Sequence, residues 1–195
     1  MSTDWDRCYR EGETPWNRGE ASPPLREWLE KNLLTGRVIV PGCGIGHDVA
    51  LIARRGVDVM GLDISGTAIG EAKKRYPEIA DRFVVGDLFS LDPALIGAFD
   101  HVVEHTCLSG MPPEWRPKYA EAFRRLLKPE GRIVGVWFIN PEMGPDETGP
   151  PFALPVEELD EMFEGDFQSV EDFIPTAAFP GREGRERFRV LQRLG

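Results

Sequence analysis

The order of apolar and polar positions divides the chain into a polar N-terminal stretch and a long series of strands and helices. Leu25, Trp28, Leu29 and Leu33 follow helical spacing, which predicts a first core helix after a pair of prolines. Further along, short apolar or β-branched runs alternate with helical segments, which is typical of an α/β fold with a mostly parallel, doubly wound sheet. These runs predict strands at residues 37–40, 57–62, 82–85, 99–103, 133–139, 168–173 and 187–191.

The segments between the strands predict the helices, the turns and the extent of the domain. Ser65 can cap a helix that runs to Arg75, and other helices are predicted at 47–55, after Pro113 to near Leu127, and at 156–163. Residues 128–131 are predicted as a turn, and the proline-rich residues 140–155 as a long ordered loop over one end of the sheet. We therefore predict one domain over residues 1–195, with an N-terminal segment at 1–24 and an α/β core at 25–195.

Residues with useful chemistry follow the predicted strands at their carboxyl ends. A glycine-rich loop follows the first strand, Asp63 the second, Asp87 the third, and His105 comes after the fourth. In parallel sheets the ligand binds beyond the carboxyl ends of the strands, near the point where strand order reverses. The sequence therefore predicts a binding site at this edge of the sheet.

Charge and cysteine content narrow the class of partner. The formal net charge of −10 repels phosphate backbones and anionic lipid headgroups, so nucleic acids and membranes are poor partners. The chain has neither an apolar run long enough to span a bilayer nor a signal-peptide pattern at its start. Cys8, Cys43 and Cys107 are too few and too scattered for a disulfide framework or a zinc site. We expect a reduced, cytoplasmic protein, monomeric or weakly dimeric, that acts on a small molecule without a metal.

The glycine-rich loop, Gly42-Cys43-Gly44-Ile45-Gly46, favours one class of cofactor. Glycines after a buried strand allow a tight turn and let a ligand lie against the backbone. A dinucleotide fingerprint needs glycine at the sixth position, where this chain has His47. Glycine at the fifth position is instead typical of S-adenosylmethionine enzymes, which cradle no pyrophosphate. A plain strand-to-helix turn is the alternative.

Asp63 and Asp87 have the positions expected of nucleoside ligands. A carboxylate at the end of the second strand can accept hydrogen bonds from both ribose hydroxyls. One at the end of the third strand can accept a hydrogen bond from an adenine amino group. The alternatives are helix capping for Asp63 and an ordinary turn after glycine for Asp87.

Three aromatic residues stand out in the polar N-terminal segment. Trp5, Tyr9 and Trp16 could close over a ligand as a lid and attract a sulfonium cation to their rings. The spacing of Trp5 and Tyr9 places both on one helical face, which favours the lid. The alternative is that these side chains only anchor an N-terminal arm.

His105 is the candidate catalytic residue. It could bind the cofactor, help to deprotonate an incoming thiol, or be a structural histidine. Cys107 could be a nucleophile, but nothing around it in the sequence requires covalent catalysis, and packing of a small residue is the better interpretation.

Six motifs run in order along nearly the whole chain: Trp5-Asp6-Arg7-Cys8-Tyr9, Thr14-Pro15-Trp16-Asn17-x-Gly19, Val40-Pro41-Gly42-Cys43-Gly44-x-Gly46-x-Asp48-Val49, Gly61-Leu62-Asp63-Ile64-Ser65, Leu127-Lys128-Pro129-x-Gly131 and Glu147-Thr148-Gly149-Pro150-Pro151-Phe152. Together they resemble the thiopurine, thiol and halide methyltransferase superfamily. The N-terminal tryptophan motifs and the Gly-Pro-Pro-Phe loop are specific to that group. The chain departs from the group at Glu104-His105, where aspartate followed by arginine or an aromatic residue is usual.

The resemblance implies a single-domain, seven-stranded, Rossmann-like class I methyltransferase sheet with helices on both faces and an N-terminal lid. It implies S-adenosylmethionine as cofactor and S-adenosylhomocysteine as product. The expected cofactor-binding residues are Trp5, Tyr9, Trp16, Gly42, Cys43, Gly44, Gly46, Asp63, Ile64, Asp87, Leu88 and His105. The expected substrate-binding residues are Trp16, Thr106, Cys107 and Phe152.

The expected reaction is an in-line displacement at the sulfonium methyl carbon by a small soft nucleophile, above all a thiol. Because the donor is already activated, the protein mainly aligns the reactants and excludes water. Halide, sulfide, tellurite or a thiopurine remain alternative acceptors. A nicotinamide-dependent oxidoreductase and an inactive adenosyl-ligand sensor are the alternatives from other classes.

Overall fold

The computed structural model describes residues 3–142 and 149–195. Glu147 and Thr148 of the last motif lie outside the described residues. Within the described part of the chain, seven strands form one sheet: β1 (Arg37–Pro41), β2 (Asp58–Asp63), β3 (Phe83–Val85), β4 (Phe99–His105), β5 (Leu127–Phe138), β6 (Phe167–Phe173) and β7 (Glu186–Arg193).

The sheet has the order β3-β2-β1-β4-β5-β7-β6. Strands β1 to β5 pair in parallel, whereas β7 lies antiparallel between β5 and β6. The strand order reverses between β1 and β4, so the loops after these two strands open a crevice at the carboxyl edge. The predicted α/β class, the single sheet and its mostly parallel character are confirmed.

Six helices are described: α1 (Trp5–Glu11), α2 (Pro23–Lys31), α3 (His47–Ala53), α4 (Gly66–Arg75), α5 (Arg116–Leu126) and α6 (Val156–Phe163). The predicted cap of α4 is confirmed, because the Ser65 hydroxyl accepts the Ala68 N–H at 3.0 Å. Among the described residues, no helix combines the length and the apolar character that crossing a bilayer requires.

Apolar residues cover both faces of the sheet. On one face α2, α3 and α4 pack through side chains such as Leu25, Ile52 and Ile69. On the other face α5 and α6 contribute Phe123 and Leu159. Burying each such side chain stabilises the fold by about 1.5–3 kcal/mol, which holds the strand ends in a fixed arrangement.

Strand β5 differs from the prediction. Residues 128–131 belong to the strand as the structure has it, although Pro129 and Gly131 predicted a turn. Pairing with β4 shifts in register here, and Glu130 takes a left-handed φ of 63°. The turn-forming residues therefore produce an irregularity within a strand, which the sequence pattern alone does not distinguish from a turn.

Candidate active site

A cavity of about 540 Å³ opens at the carboxyl edge of the sheet. The loops after β1, β2, β3 and β4 form its floor, and the N-terminal segment and residues near 150 and 180 form its walls. Thirteen of the predicted site residues line it: Trp5, Tyr9, Trp16, Gly42, Cys43, Gly44, Asp63, Ile64, Asp87, Leu88, His105, Thr106 and Cys107. The residues predicted at separate strand ends therefore meet in one cavity.

Two predicted residues do not line the cavity. Gly46 is the N-cap of α3 and has a φ of 86°, and a side chain there would collide with the Phe83 ring. Phe152 donates its backbone N–H to the Ser109 carbonyl at 2.6 Å, while its neighbours Pro150 and Pro151 line the cavity. Both residues support the loops that shape the cavity.

The glycine-rich loop passes close to other groups at Gly42 and Gly44. Both have positive φ values, 61° and 53°, which side chains disfavour. A Cβ on Gly42 would lie 2.4 Å from the Cys107 sulfur, and one on Gly44 would lie 2.7 Å from the Tyr9 hydroxyl. The loop therefore needs glycine at both positions, at Gly42 to pass the Cys107 side chain after β4 and at Gly44 to pass Tyr9 of the N-terminal segment.

Asp63 is fixed at the end of β2 by two backbone N–H groups. Gly44 donates to Oδ2 at 2.8 Å, and Ser65 donates to Oδ1 at 2.9 Å. The residue is 8% exposed, and this burial raises the pKa of Asp63 above its ordinary value although the hydrogen bonds oppose the rise. Each oxygen retains a lone pair for a further donor from the cavity.

Asp87 stands at the end of β3 beside buried Leu88. Its Oδ1 accepts the Phe89 N–H at 2.8 Å, as in the turn proposed from the sequence. The carboxylate nevertheless lines the cavity, so the turn and a ligand contact are compatible.

The three N-terminal aromatic side chains form one cluster above the glycine-rich loop. Trp16 meets Trp5 edge to face at 5.2 Å between ring centroids and Tyr9 at 5.8 Å. The Trp16 indole N–H donates to the Tyr9 hydroxyl at 3.1 Å. Trp5 also lies against Gly110, where an added Cβ would be 3.0 Å from the indole. The cluster therefore bridges the loops after β1 and β4.

Asp6 holds helix α1 in this place. Its Oδ1 accepts the Ser65 hydroxyl and the Thr67 N–H, both at 2.8 Å, at the start of α4. These hydrogen bonds lower the pKa of Asp6, chiefly through the Thr67 N–H. The N-terminal segment is thus tied to the same turn that contains Asp63.

His105 lines the cavity at the end of β4 and is paired with Asp48 in the first turn of α3. The Nδ1 atom of His105 is 2.7 Å from Asp48 Oδ2, and the ring stacks on Phe179 with centroids 6.1 Å apart. Burial alone lowers the pKa of His105, but the Asp48 carboxylate outweighs it and raises the pKa above the ordinary value. The Nε2 atom is buried and has no hydrogen-bond partner among the described residues.

Glu104 is fully buried behind the cavity. Its Oε1 accepts the Leu108 N–H at 3.0 Å and the Tyr119 hydroxyl at 3.2 Å. Burial raises the pKa of Glu104 to about 7, and it raises the pKa of the neighbouring Cys107 thiol above its ordinary range. Cys107 is therefore a thiol at neutral pH, which agrees with packing rather than nucleophilic chemistry.

Thr106 has an uncommon backbone conformation. Its φ of 54° lies in the left-handed region, which β-branched residues rarely adopt. The Thr106 N–H donates to the Val136 carbonyl at 3.1 Å, and its own carbonyl accepts the Ser109 hydroxyl at 2.8 Å. These bonds hold the chain in a turn that directs residues 105–107 along the cavity wall.

One wall was not predicted from the sequence. Phe138, at the end of β5, carries the Arg182 guanidinium over its ring at 4.5 Å and that of Arg185 at 5.4 Å. Both arginines and Phe179 line the cavity. They come from the irregular segment before β7. The sequence shows neither helical nor strand periodicity there, which indicates a loop but does not predict that its side chains reach the cavity.

Comparison with known proteins identifies the family. The sequence model of the thiopurine S-methyltransferase family matches residues 1–183. Thiocyanate methyltransferase 1 of Arabidopsis thaliana is 33% identical over 190 residues, which cover 94% of this chain and 81% of that protein. The chain belongs to the thiopurine S-methyltransferase family. A more distant member, thiopurine S-methyltransferase of Nitrosospira multiformis, is 27% identical over 176 residues, which cover 82% of this chain and 79% of that protein.

Solved structures agree on the fold. One solved structure concerns the conversion of a disulfide bond into a thioacetal group during echinomycin biosynthesis. Its TM-score with this chain is 0.77 at 23% identity, and the match covers 97% of this chain and 90% of that chain. The 1,6-didemethyltoxoflavin-N1-methyltransferase of Burkholderia thailandensis was solved with bound S-adenosylhomocysteine. Its TM-score with this chain is 0.74 at 19% identity, and the match covers 98% of this chain and 86% of that chain. This family member is therefore a methyltransferase, and the solved structures show that it has a class I methyltransferase fold.

The cavity fits an adenosyl sulfonium compound by its own chemistry. Its volume of about 540 Å³ is in the range of small-molecule sites. Asp63 and Asp87 have carboxylate oxygens that can accept hydrogen bonds from hydroxyl and amino groups, and the aromatic cluster lies near the glycine-rich loop, where its rings could attract a cation. Among residues 3–142 and 149–195, no group of three or more histidine, cysteine or acidic side chains could hold a metal ion.

Proposed function

We propose that this enzyme transfers the methyl group of S-adenosylmethionine to the sulfur of a small thiol. The observation that carries the proposal is the set of residues that one cavity brings together. Acidic and glycine residues suited to a nucleoside line it, and so does His105, whose ring is held at Nδ1 by Asp48 and whose Nε2 has no hydrogen-bond partner among the described residues. The names of its relatives give thiols, thiocyanate and thiopurines as acceptors, in a probable thiol methyltransferase, two thiocyanate methyltransferases and a thiopurine S-methyltransferase.

We assign the donor site to the residues at the ends of β1, β2 and β3. Asp63 would accept hydrogen bonds from the ribose hydroxyls, Asp87 would accept one from the adenine amino group, and Ile64 and Leu88 would pack beside the base. Gly42, Cys43 and Gly44 allow the methionine part to lie against the backbone. The bound donor supplies an electrophilic methyl group that needs no metal for its activation.

The N-terminal segment serves as the lid of this site. Trp5, Tyr9 and Trp16 place their rings where a cation would be desolvated, and each favourable cation–π contact contributes about 0.5–2 kcal/mol. The lid also excludes water, which strengthens the electrostatic interactions inside the cavity.

His105 serves as the base for the acceptor. A thiol with an ordinary pKa of about 8.5 is only a few per cent ionised near neutral pH. His105 takes the thiol proton at Nε2, and the thiolate lone pair forms the new bond to the methyl carbon. The bond from that carbon to the sulfonium sulfur breaks, and its electron pair stays on the departing sulfur.

The acceptor end is bounded by Thr106, Cys107, Phe138, Phe179 and the prolines of the loop near residue 150. These apolar and aromatic surfaces suit an acceptor of modest size, and the acidic surface of the protein argues against nucleic acid. We further propose a cytoplasmic enzyme that is a monomer or a weak homodimer.

A panel assay tests the proposal. Purified protein is incubated with S-adenosylmethionine and one acceptor at a time: an alkyl thiol, an aryl thiol, sulfide, thiocyanate, iodide, tellurite or a thiopurine. Release of S-adenosylhomocysteine should be fastest with a thiol. The absence of release with every acceptor, together with tight S-adenosylhomocysteine binding, would instead identify an inactive sensor.

A further inference from the structure

Asp48 connects three parts of the molecule through one buried carboxylate. It lies in the first turn of α3, where its Oδ2 is 2.7 Å from His105 Nδ1 on β4. Its Oδ1 accepts the backbone N–H of Ser22 at 2.8 Å, just before α2. Each carboxylate oxygen therefore has one hydrogen-bond partner, and the two hydrogen bonds together orient the side chain.

This arrangement fixes the tautomer of His105. An ionised carboxylate can only accept, so Nδ1 must carry the proton. When the imidazole is neutral, Nε2 is then the unprotonated atom, and it has no hydrogen-bond partner among the described residues. Stacking of Phe179 on the ring limits its rotation.

Other charged groups also face His105. Glu186 lies on β7, Arg182 belongs to the segment before β7, and Glu104 precedes His105 on β4 itself. Arg182 and Glu186 form an ion pair of 3.1 Å, so their effects on the imidazole largely oppose each other. Asp48 is the charged group that makes a direct hydrogen bond to the ring.

Resting on the proposed function, we infer that Asp48 is a positioning residue, which keeps His105 in the tautomer and orientation that allow Nε2 to take the proton of the acceptor thiol. Asp48 lines the same cavity as His105, and the role inferred for it is exercised through the imidazole to which its Oδ2 is hydrogen-bonded. The proton moves from the thiol sulfur to Nε2 and leaves later to water, while the carboxylate stabilises the imidazolium ion that forms.

A structural role for Asp48 makes different predictions from a positioning role. If the carboxylate only joined Ser22 to α3, its loss would loosen the N-terminal segment and reduce the rate with every acceptor equally. A positioning role concerns only acceptors that must lose a proton. Iodide and thiocyanate carry no proton, so they separate the two roles.

The experiment compares D48N with wild-type enzyme over a range of pH, using an alkyl thiol and thiocyanate or iodide. Loss of the negative charge lowers the pKa of His105, which is raised mainly by Asp48 against the effect of burial. The acid limb of kcat/KM for the thiol should therefore move to lower pH, with a plateau about tenfold lower because the base is weaker. The rate with iodide or thiocyanate should stay within about twofold.

D100N is the matched control. Asp100 is a carboxylate in an ion pair with Lys128 at 2.8 Å, and it does not line the cavity. The D100N change should leave the pH dependence of the rate unchanged, both with the alkyl thiol and with thiocyanate or iodide. Should D48N fail to fold, H105Q replaces it: glutamine can still donate to Asp48 but cannot take a proton, so the thiol rate should follow ionisation of the thiol alone.

A titration of His105 by nuclear magnetic resonance in the protein without donor provides a second readout. The imidazole should titrate at lower pH in D48N than in wild type, and the neutral form should show Nε2 unprotonated in the wild type. An unchanged thiol profile in D48N, or a protonated Nε2 in the neutral wild-type ring, would overturn the inference. Absence of methyl transfer to any acceptor would instead refute the proposed function, while the titration would still decide whether Asp48 holds His105.

Discussion

Asp63 shows how one side chain can support the backbone and still leave room for a ligand. A carboxylate has about four lone-pair sites, and the N–H groups of Gly44 and Ser65 use two of them. The remaining two match the pair of hydroxyls on a ribose. The sequence predicted helix capping and ribose binding as alternatives, but the cap of α4 is Ser65, and Asp63 instead fixes the turn before it.

D63N tests this assignment. The amide keeps the size of the side chain but converts one acceptor into a donor, so a backbone N–H or a ribose hydroxyl loses its partner. The affinity for S-adenosylhomocysteine, measured by calorimetry, should fall about 10- to 100-fold, since hydrogen bonds to charged groups contribute about 1.5–3 kcal/mol. D92N is the control, because Asp92 bonds only to the exposed Ala94 N–H and lies away from the cavity. An equal loss in both variants would contradict the assignment.

Glu104 should make stability depend on pH. Its folded pKa of about 7 is above the ordinary value of 4.5, so its protonated form is favoured by folding. The stabilising contribution is fully present below about pH 4.5 and is lost as the pH rises through about 7. E104Q cannot ionise, so its Tm relative to wild type should be higher at about pH 8 than at about pH 5 in calorimetric scans. The exposed change E164Q should show no such trend.

At the scale of elements, most of the fold was predictable and one wall of the site was not. The strands and helices of the parallel half carry clear periodicity and caps, so their positions and the shared edge of Asp63, Asp87 and His105 followed from the sequence. Arg182 and Arg185 lie in an irregular segment, and their approach to the cavity depends on the antiparallel return of β7. The Asp48–His105 contact likewise joins residues 57 positions apart, which no local pattern can indicate.

The fit between the N-terminal segment and the glycine-rich loop can be tested with two glycines. Gly44 and Gly12 both have positive φ, 53° and 73°, so alanine strains the backbone in each, by about 1–2 kcal/mol. Only at Gly44 would the methyl group also meet Tyr9, because the space at Gly12 is open. G44A and G12A should therefore lower Tm by similar amounts. G44A should nevertheless weaken S-adenosylhomocysteine binding much more than G12A does. Equal affinities would show that Tyr9 does not close over the ligand.

At the scale of the whole molecule, a ligand in the cavity would bridge helices, strands and segments that the polypeptide links to one another only through loops. The cavity is lined by the N-terminal segment, four strand ends and the segment before β7, so a bound ligand contacts both halves of the sheet. Ligand binding should therefore stabilise the fold as a unit, without creating a separately melting region.

Thermal unfolding measures this coupling. With S-adenosylhomocysteine at about 100 times its Kd, stability should rise by about 2.7 kcal/mol, which for a chain of this size raises Tm by about 5–10 °C. NAD at the same concentration should leave Tm unchanged. A rise in Tm with NAD but not with S-adenosylhomocysteine would instead favour the oxidoreductase interpretation of the glycine-rich loop.

The interlocked rings of Trp5, Tyr9 and Trp16 have a kinetic consequence. Trp16 packs against Trp5 and Tyr9 of α1, and Asp6 ties that helix to the start of α4, so we expect the three rings of the proposed lid to move together. S-adenosylhomocysteine formed beneath the rings can then be released only after the three rings have moved away. The first turnover on mixing enzyme with both substrates should then outpace all later ones, leaving a burst of methylated product equal to the number of enzyme molecules.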